Sequence, residues 1–184
     1  MVKTRDKRVG LMVESLHGYG ARILDGIIRW VRANPGWRIA FFDGEPSELP
    51  HLVREWQGDG IICTITDEEW LSAAQSRDIP LVNVAGRYPH LTVTNVVGDD
   101  RACGRLAADY FLDRGFENFA FVGAVDHRFA GDRSDGFLER IAREGLVGHS
   151  ISVPLGAEED LGAQLVQLPR PLAIYCPSDR QAAV

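Results

Sequence analysis

The segment FAGDRSDGF places Arg133 between two aspartates, where a predicted loop after a strand turns into a helix. A guanidinium can donate two parallel hydrogen bonds to neighbouring hydroxyls or to a carboxylate, so Arg133 is a candidate ligand-binding residue. The alternative is a surface arginine that forms an ion pair with Asp132 or Asp135. Spacing alone leaves both interpretations open.

Four other side chains could complete a binding site. Glu14 and Ser15 follow the first predicted strand and offer a hydrogen-bond acceptor and a donor. Tyr19 and Phe129 could stack against the apolar face of a ligand. Each of the four also fits an ordinary turn or packing role, so the sequence identifies them only as candidates.

The sequence lacks the common motifs of catalysis and nucleotide binding. GYGARILDG after the first strand is not a GxGxxG fingerprint, and no acid ends the second strand unless Asp43 takes that place. GxxxxGK, GxSxG and HExxH are absent. Asp99 and Asp100 could mark a metal or phosphoacceptor site, but a helix N-cap explains them more simply. We therefore expect a non-enzyme without a cofactor or a metal.

The composition is that of an ordinary globular chain. Its 184 residues are 45% hydrophobic and 25% charged, which allows one large domain or two small ones. No apolar run approaches the roughly 20 residues of a membrane helix, and MVKTRDKRVG lacks a signal-peptide core, so we expect a cytoplasmic protein. The net charge of -6 argues against DNA binding by these residues. Cys63, Cys103 and Cys176 lie in apolar patterns and are predicted to be buried free thiols.

Strands and helices alternate along the chain and must position these side chains. Asp99 or Asp100 caps a helix that ends at Gly115, and a wholly buried strand follows around Phe119. The predicted apolar stripe of that helix consists of Cys103, Leu106, Ala107, Tyr110 and Phe111. Further strands are predicted at 9–13, 38–42, 61–65, 79–84, 150–154 and 172–176. This alternation predicts α/β architecture with doubly wound parallel sheets, in which ligands bind beyond the carboxyl ends of the strands.

Three segments resemble the effector-binding half of bacterial transcription regulators with the periplasmic-binding-protein fold, the class of the lactose and purine repressors. They are VGDDRACGRLAADYFLDRGFENFAFVG, RSDGF and AIYCPSDRQA. The resemblance implies a basic tail over 1–8, a first α/β subdomain over 9–115 and a second over 116–184. It also implies a sugar effector between the subdomains, with a pentose such as xylose expected. The family's effector-binding positions carry over to Arg133, Ser178 and Asp179.

The resemblance further implies a DNA-binding domain outside these residues. Residues 1–8 are too few for the helix-turn-helix that precedes lactose-type sensors, and segments such as WQGDGII resemble sensors that precede an AraC-type DNA-binding domain. Because the last helix starts near Ser178 and the sequence stops at Val184, we expect the second subdomain to be truncated. We expect a homodimer whose DNA binding changes when the sugar closes the cleft.

Two other functions fit the same fold class. A solute-binding protein that delivers sugar to a transporter would need a signal segment, which the N-terminus does not show. A small α/β enzyme would need catalytic or phosphate-binding motifs, which the sequence does not contain. The sugar sensor is therefore the leading hypothesis.

Overall fold

The computed structural model describes residues 6–13, 18–42, 49–65, 68–76, 78–88, 92–125, 127–153 and 161–183. In these ranges no helix is both long enough and apolar enough to cross a membrane.

The first half of the chain forms a parallel sheet of five strands. The strands are Lys7–Met12 (β1), Trp37–Phe41 (β2), Gly60–Cys63 (β3), Leu81–Asn83 (β4) and Thr94–Asn95 (β5). The helices between them are Gly18–Ala33 (α1), Leu49–Glu55 (α2) and Glu68–Gln75 (α3). The order is β2-β1-β3-β4-β5. The sequence pattern does not predict β5, because two residues carry no periodicity.

The second half forms a separate parallel sheet. Its strands are Asn118–Gly123 (β6), Gly148–Ser152 (β7) and Leu172–Tyr175 (β8), in the order β7-β6-β8. Its helices are Asp100–Leu112 (α4), Arg128–Ala142 (α5), Leu161–Val166 (α6) and Asp179–Ala182 (α7). Two parallel sheets with alternating helices confirm the predicted α/β fold class of the periplasmic-binding-protein type.

The middle strand of this second sheet is buried on both faces. Phe119 and Phe121 pack into one apolar cluster, whose other buried members include Phe137 of α5. Ala120 and Val122 point the other way, because side chains alternate along a strand, and belong to a second cluster. The prediction of a wholly buried strand around Phe119 is therefore confirmed.

Contacts divide the chain into two compact units. Unit 1 comprises residues 1–85 and 90–97, and unit 2 comprises residues 86–89 and 98–184. The sequence placed α4 in the first subdomain, which was expected to end at residue 115, but its contacts place it in unit 2. The physical reason is close packing of α4 on α5: a Cβ atom on Gly104 would overlap the carbonyl oxygen of Arg133, and one on Gly136 would overlap that of Arg101.

The helix α4 begins where the sequence predicts and ends at Leu112, shortly before the predicted end at Gly115. Asp99 is its N-cap, and the Asp99 side chain accepts a hydrogen bond from the backbone N–H of Ala102 at 2.8 Å. Gly115 follows the helix with φ +76°, a left-handed conformation that glycine adopts without strain.

The buried face of α4 differs from the predicted stripe. Asp100, Gly104 and Ala108 are buried, whereas Leu106 and Tyr110 are 67% and 54% exposed. Small side chains occupy the contact with α5 because they let the two backbones approach closely. Of the predicted stripe, Ala107 and Phe111 pack against the core cluster of unit 2, whereas Leu106 and Tyr110 lie on its outer surface.

Candidate functional site

Arg133 lies in the second turn of α5 and not at the junction of loop and helix that the sequence predicts. The helix already begins at Arg128. The backbone N–H groups of Arg128 and Phe129 donate hydrogen bonds to the carbonyl oxygens of Arg87 and Gly86, at 3.2 and 2.9 Å. Because these acceptors are about 40 residues away in sequence, the local pattern does not reveal where the helix starts.

Two groups hold the Arg133 guanidinium. Its Nε donates to Oδ1 of Asp100 at 2.8 Å, and its Nη1 donates to the carbonyl oxygen of Pro177. The side chains of Arg133 and Asp100 are 27% and 9% exposed. This ion pair thus joins α5 to the first residue of α4, and the carbonyl contact joins α5 to the segment after β8.

The ion-pair partners that the sequence offered for Arg133 are engaged elsewhere. Asp132 lies 3.5 Å from Nε of Arg128, and Asp135 accepts from Arg101 at 2.7 Å. The interpretation of Arg133 as a surface arginine paired with either of them is therefore wrong.

Arg133 still has hydrogen-bonding capacity for a ligand. A guanidinium carries five N–H donors. Two of them are used by Asp100 and Pro177, and the other three have no partner among the residues that the structure describes. The Phe129 ring lies beside the guanidinium, with its centroid 5.5 Å from Cζ of Arg133. Directed donors next to an aromatic face are the combination from which small-molecule sites are built.

Ser178 and Asp179 follow Pro177 at the start of α7. Ser178 is the N-cap of this helix, and its Oγ accepts from the backbone N–H of Gln181 at 3.4 Å. Both side chains are exposed. Pro177 follows β8, so its contact with Arg133 places Arg133 at the carboxyl edge of the sheet of unit 2. We call this part of the molecule, with Phe129, Arg133, Ser178 and Asp179, the unit 2 edge.

The unit 2 edge also contains a small surface pocket. The described residues that line it lie at the end of β6, just after β7, and in α6 and α7, and they are Val122, Gly123, Val153, Leu161 and Gln181. Except for the Gln181 amide, their side chains are apolar or absent.

Asp100 and Tyr175 belong to this arrangement, although the sequence did not single them out as site residues. Tyr175 is half-buried between the rings of Phe121 and Phe137, with centroid distances of 5.6 and 5.2 Å. Burial raises the pKa of Tyr175, and the charge of Arg133 lowers it by a smaller amount. The sequence analysis assigned Asp99 and Asp100 to a helix N-cap and so did not predict a site role for Asp100. The spacing of Asp100, Gly104 and Ala108, four residues apart, could have indicated that Asp100 lies on the buried face of α4.

In unit 1, Tyr19 is found near the carboxyl end of β4. Its ring is 56% exposed, and its hydroxyl donates to the carbonyl oxygen of Val84 at 3.0 Å. Glu14 and Ser15 lie outside the described residues, so their ligand roles stay predictions. In the part of the chain that the structure describes, no group of three or more His, Cys, Asp or Glu side chains could hold a metal ion.

Asn83 organises the same edge of unit 1. It is fully buried at the end of β4, and its Oδ1 accepts from the backbone N–H of Ile65 at 3.1 Å. Its Nδ2 donates to the carbonyl oxygen of Ala85 at 2.6 Å and to Oδ1 of Asn95 at 2.8 Å. Asn83 therefore ties together the segments that follow β3 and β4. In the sequence, Asn83 stands out as the one amide side chain in the apolar run 79–84.

Known structures show the same arrangement of strands and helices. A LacI transcriptional regulator from a Rhodococcus species superposes with a TM-score of 0.74 and 26% identity, covering 96% of this chain and 69% of that one. The Cra transcriptional dual regulator from Pseudomonas putida, in complex with fructose 1-phosphate, superposes with a TM-score of 0.63 and 21% identity, covering 92% and 69%. The chain has the fold of LacI-family regulators. No protein-family model matches the sequence.

Two similar sequences are also regulators. The xylose operon regulatory protein of Escherichia coli strain K12 is 25% identical over 149 residues, which are 77% of this chain and 38% of that protein. The probable HTH-type transcriptional repressor ExuR of Bacillus subtilis strain 168 is 25% identical over 134 residues, which are 67% and 40%. The chain thus spans about two fifths of the curated relatives it matches. These similarities support a ligand-binding domain of a transcription regulator over an enzyme.

Proposed function

We propose that the chain is the sugar-sensing domain of a bacterial transcription regulator. The observation that carries the proposal is the state of Arg133 at the unit 2 edge. Its guanidinium is held by Asp100 and Pro177 and is partly exposed, and three of its N–H donors have no partner among the described residues. Such a group presents fixed donors without needing to be ordered by the ligand, which lowers the entropic cost of binding.

The surrounding side chains fit a polyhydroxylated ligand. The Nη groups of Arg133 donate to two neighbouring sugar hydroxyls, and the ring of Phe129 covers the apolar face of the sugar. Ser178 and Asp179 offer oxygen atoms that accept from other hydroxyls. The ligand roles of Glu14, Ser15 and Tyr19 stay predictions.

Similarity to the xylose operon regulatory protein supports a finer version of the proposal. In this version the effector is a pentose such as xylose, the protein is a cytoplasmic homodimer, and DNA is bound by an AraC-type domain beyond these residues. Sugar can change DNA affinity only through its different affinities for two states of the protein, a coupling of about 1–3 kcal/mol in typical regulators. The closure of a cleft by the sugar stays a prediction.

Calorimetry tests the proposed role of Arg133. D-Xylose, L-arabinose, D-ribose and D-glucose are titrated into the chain and into its Arg133→Ala variant. Hydrogen bonds to a charged group contribute about 1.5–3 kcal/mol each, so we expect the variant to bind the preferred sugar at least about tenfold more weakly.

The matched control is Arg140→Ala. Arg140 also joins α5 to α4, through Asp109 at 2.6 Å, but it lies about two turns further along α5. This variant should retain the affinity of the unaltered chain. Equal affinities in the Arg133→Ala variant and the unaltered chain would remove Arg133 from the site.

A further inference from the structure

The positive charge of Arg133 is balanced at close range. Asp100 contacts its Nε at 2.8 Å, and the Asp100 side chain is only 9% exposed, so water screens this carboxylate little. Arg133 therefore offers hydrogen-bond donors to a ligand without offering an uncompensated charge.

The other arginines of α4 and α5 do not add a free positive charge to this pair. Asp179 adds an exposed carboxylate two residues after Pro177, the residue whose carbonyl Arg133 contacts. Each of the other arginines of α4 and α5 is in an ion pair: Arg101 with Asp135 and Glu139, Arg105 with Asp99, Arg128 with Asp132, and Arg140 with Asp109 and Glu144. The two helices that carry Arg133 and Asp100 thus supply no surplus cation.

We propose that the unit 2 edge selects neutral polyhydroxylated ligands over phosphorylated or carboxylated ones, and that Asp100 sets this selectivity. The inference rests on the proposed function and narrows its ligand class. An anionic group placed against Arg133 also meets the field of Asp100, and the repulsion offsets the attraction. Such a group would lose its hydration shell without gaining a matching counter-charge. A neutral hydroxyl is not repelled by Asp100 and has no charge that must be desolvated.

The fold itself does not impose this choice. The Cra regulator from Pseudomonas putida shares the fold and is in complex with fructose 1-phosphate. Ligand charge is therefore decided by side chains at the site. In this chain the deciding side chain is the carboxylate that pairs with the arginine.

The test follows the Arg133 side chain by NMR. The ¹⁵N-labelled chain is titrated with inorganic phosphate, with fructose 1-phosphate and with the four neutral sugars named above, and the Nε–H signal of Arg133 is monitored. In the unaltered chain we expect a saturable shift with at least one neutral sugar, and binding of inorganic phosphate that is at least about tenfold weaker than binding of that sugar. Asp100→Asn keeps the oxygen that accepts from Nε but removes the charge, so this variant should bind both phosphate probes at least about tenfold more tightly.

Asp109→Asn is the matched control, because it removes a carboxylate from the Arg140 pair between the same two helices. It should leave the response to phosphate unchanged. Asp179→Asn is a second variant at an exposed position that does not endanger the fold, and about a twofold gain in phosphate affinity is expected because water screens this charge.

The possible failures are distinguishable. An Arg133 signal that responds to inorganic phosphate equally in the unaltered chain and in the Asp100→Asn variant overturns the selectivity and leaves the sugar sensor standing. If that variant does not fold, binding of inorganic phosphate by the unaltered chain as tight as its binding of the neutral sugar has the same effect. Neutral sugars that leave the Arg133 signal unmoved overturn the proposed function together with this inference.

Discussion

At the scale of single residues, the three cysteines differ in how deeply they are buried. Cys63 is buried at the end of β3, and burial raises its pKa to about 12. Cys176 is half-buried, and burial raises its pKa as well. Cys103 is exposed, so the prediction that it is a buried thiol was wrong. Cys103 shares the exposed face of α4 with Leu106 and Tyr110, although the apolar pattern placed it in the core.

These environments predict an order of thiol reactivity. Thiolate is the reactive form, and a raised pKa leaves less of it at about pH 8. In the native chain a disulfide reagent should therefore modify Cys103 first, Cys176 more slowly and Cys63 only after unfolding. Peptide mass spectrometry over a time course measures the order. Modification of Cys63 in the folded chain at the rate of Cys103 would contradict the burial described here.

Close packing of α4 and α5 is the main feature at the level of elements. The two glycines at their contact bring the backbones together, and ion pairs such as Arg101 with Glu139 and Arg140 with Asp109 flank that contact. The spacing of apolar residues predicted that α4 exists, and Gly115 indicated its end approximately. This spacing could not predict the buried face of α4. Glycine has no side chain to add to an apolar pattern, whereas Leu106 belongs to the pattern but is exposed.

Gly104→Ala tests this packing. The added Cβ would overlap the backbone of α5, so we expect a loss of about 1–3 kcal/mol in the free energy of unfolding, measured by urea titration. Gly26→Ala in α1 is the control, because a Cβ there meets nothing within 4 Å and should stabilise the chain by about 0.5–1 kcal/mol. Equal stabilities of the two variants would show that α4 and α5 are not in backbone contact.

At the level of the whole molecule, the sequence predicted the alternation of strands and helices and the two parallel sheets. Ligand binding at the carboxyl edges of these sheets stays a prediction. Side-chain chemistry already made Arg133 a candidate, whereas Ser178 and Asp179 were named only through a family resemblance. The pairing of Arg133 with Asp100 was not predictable, because it joins residues 33 positions apart whose meeting depends on the approach of two helices. The extent of unit 2 was missed for the same reason.

The central claim is that a neutral sugar binds at the unit 2 edge through Arg133. A crystal structure of the chain with the preferred sugar from calorimetry tests it most directly. We expect sugar hydroxyls at about 2.7–3.2 Å from the Nη atoms of Arg133, with the contact between Arg133 and Asp100 retained. A sugar bound only at other residues, with no atom within hydrogen-bonding distance of Arg133, would contradict the claim.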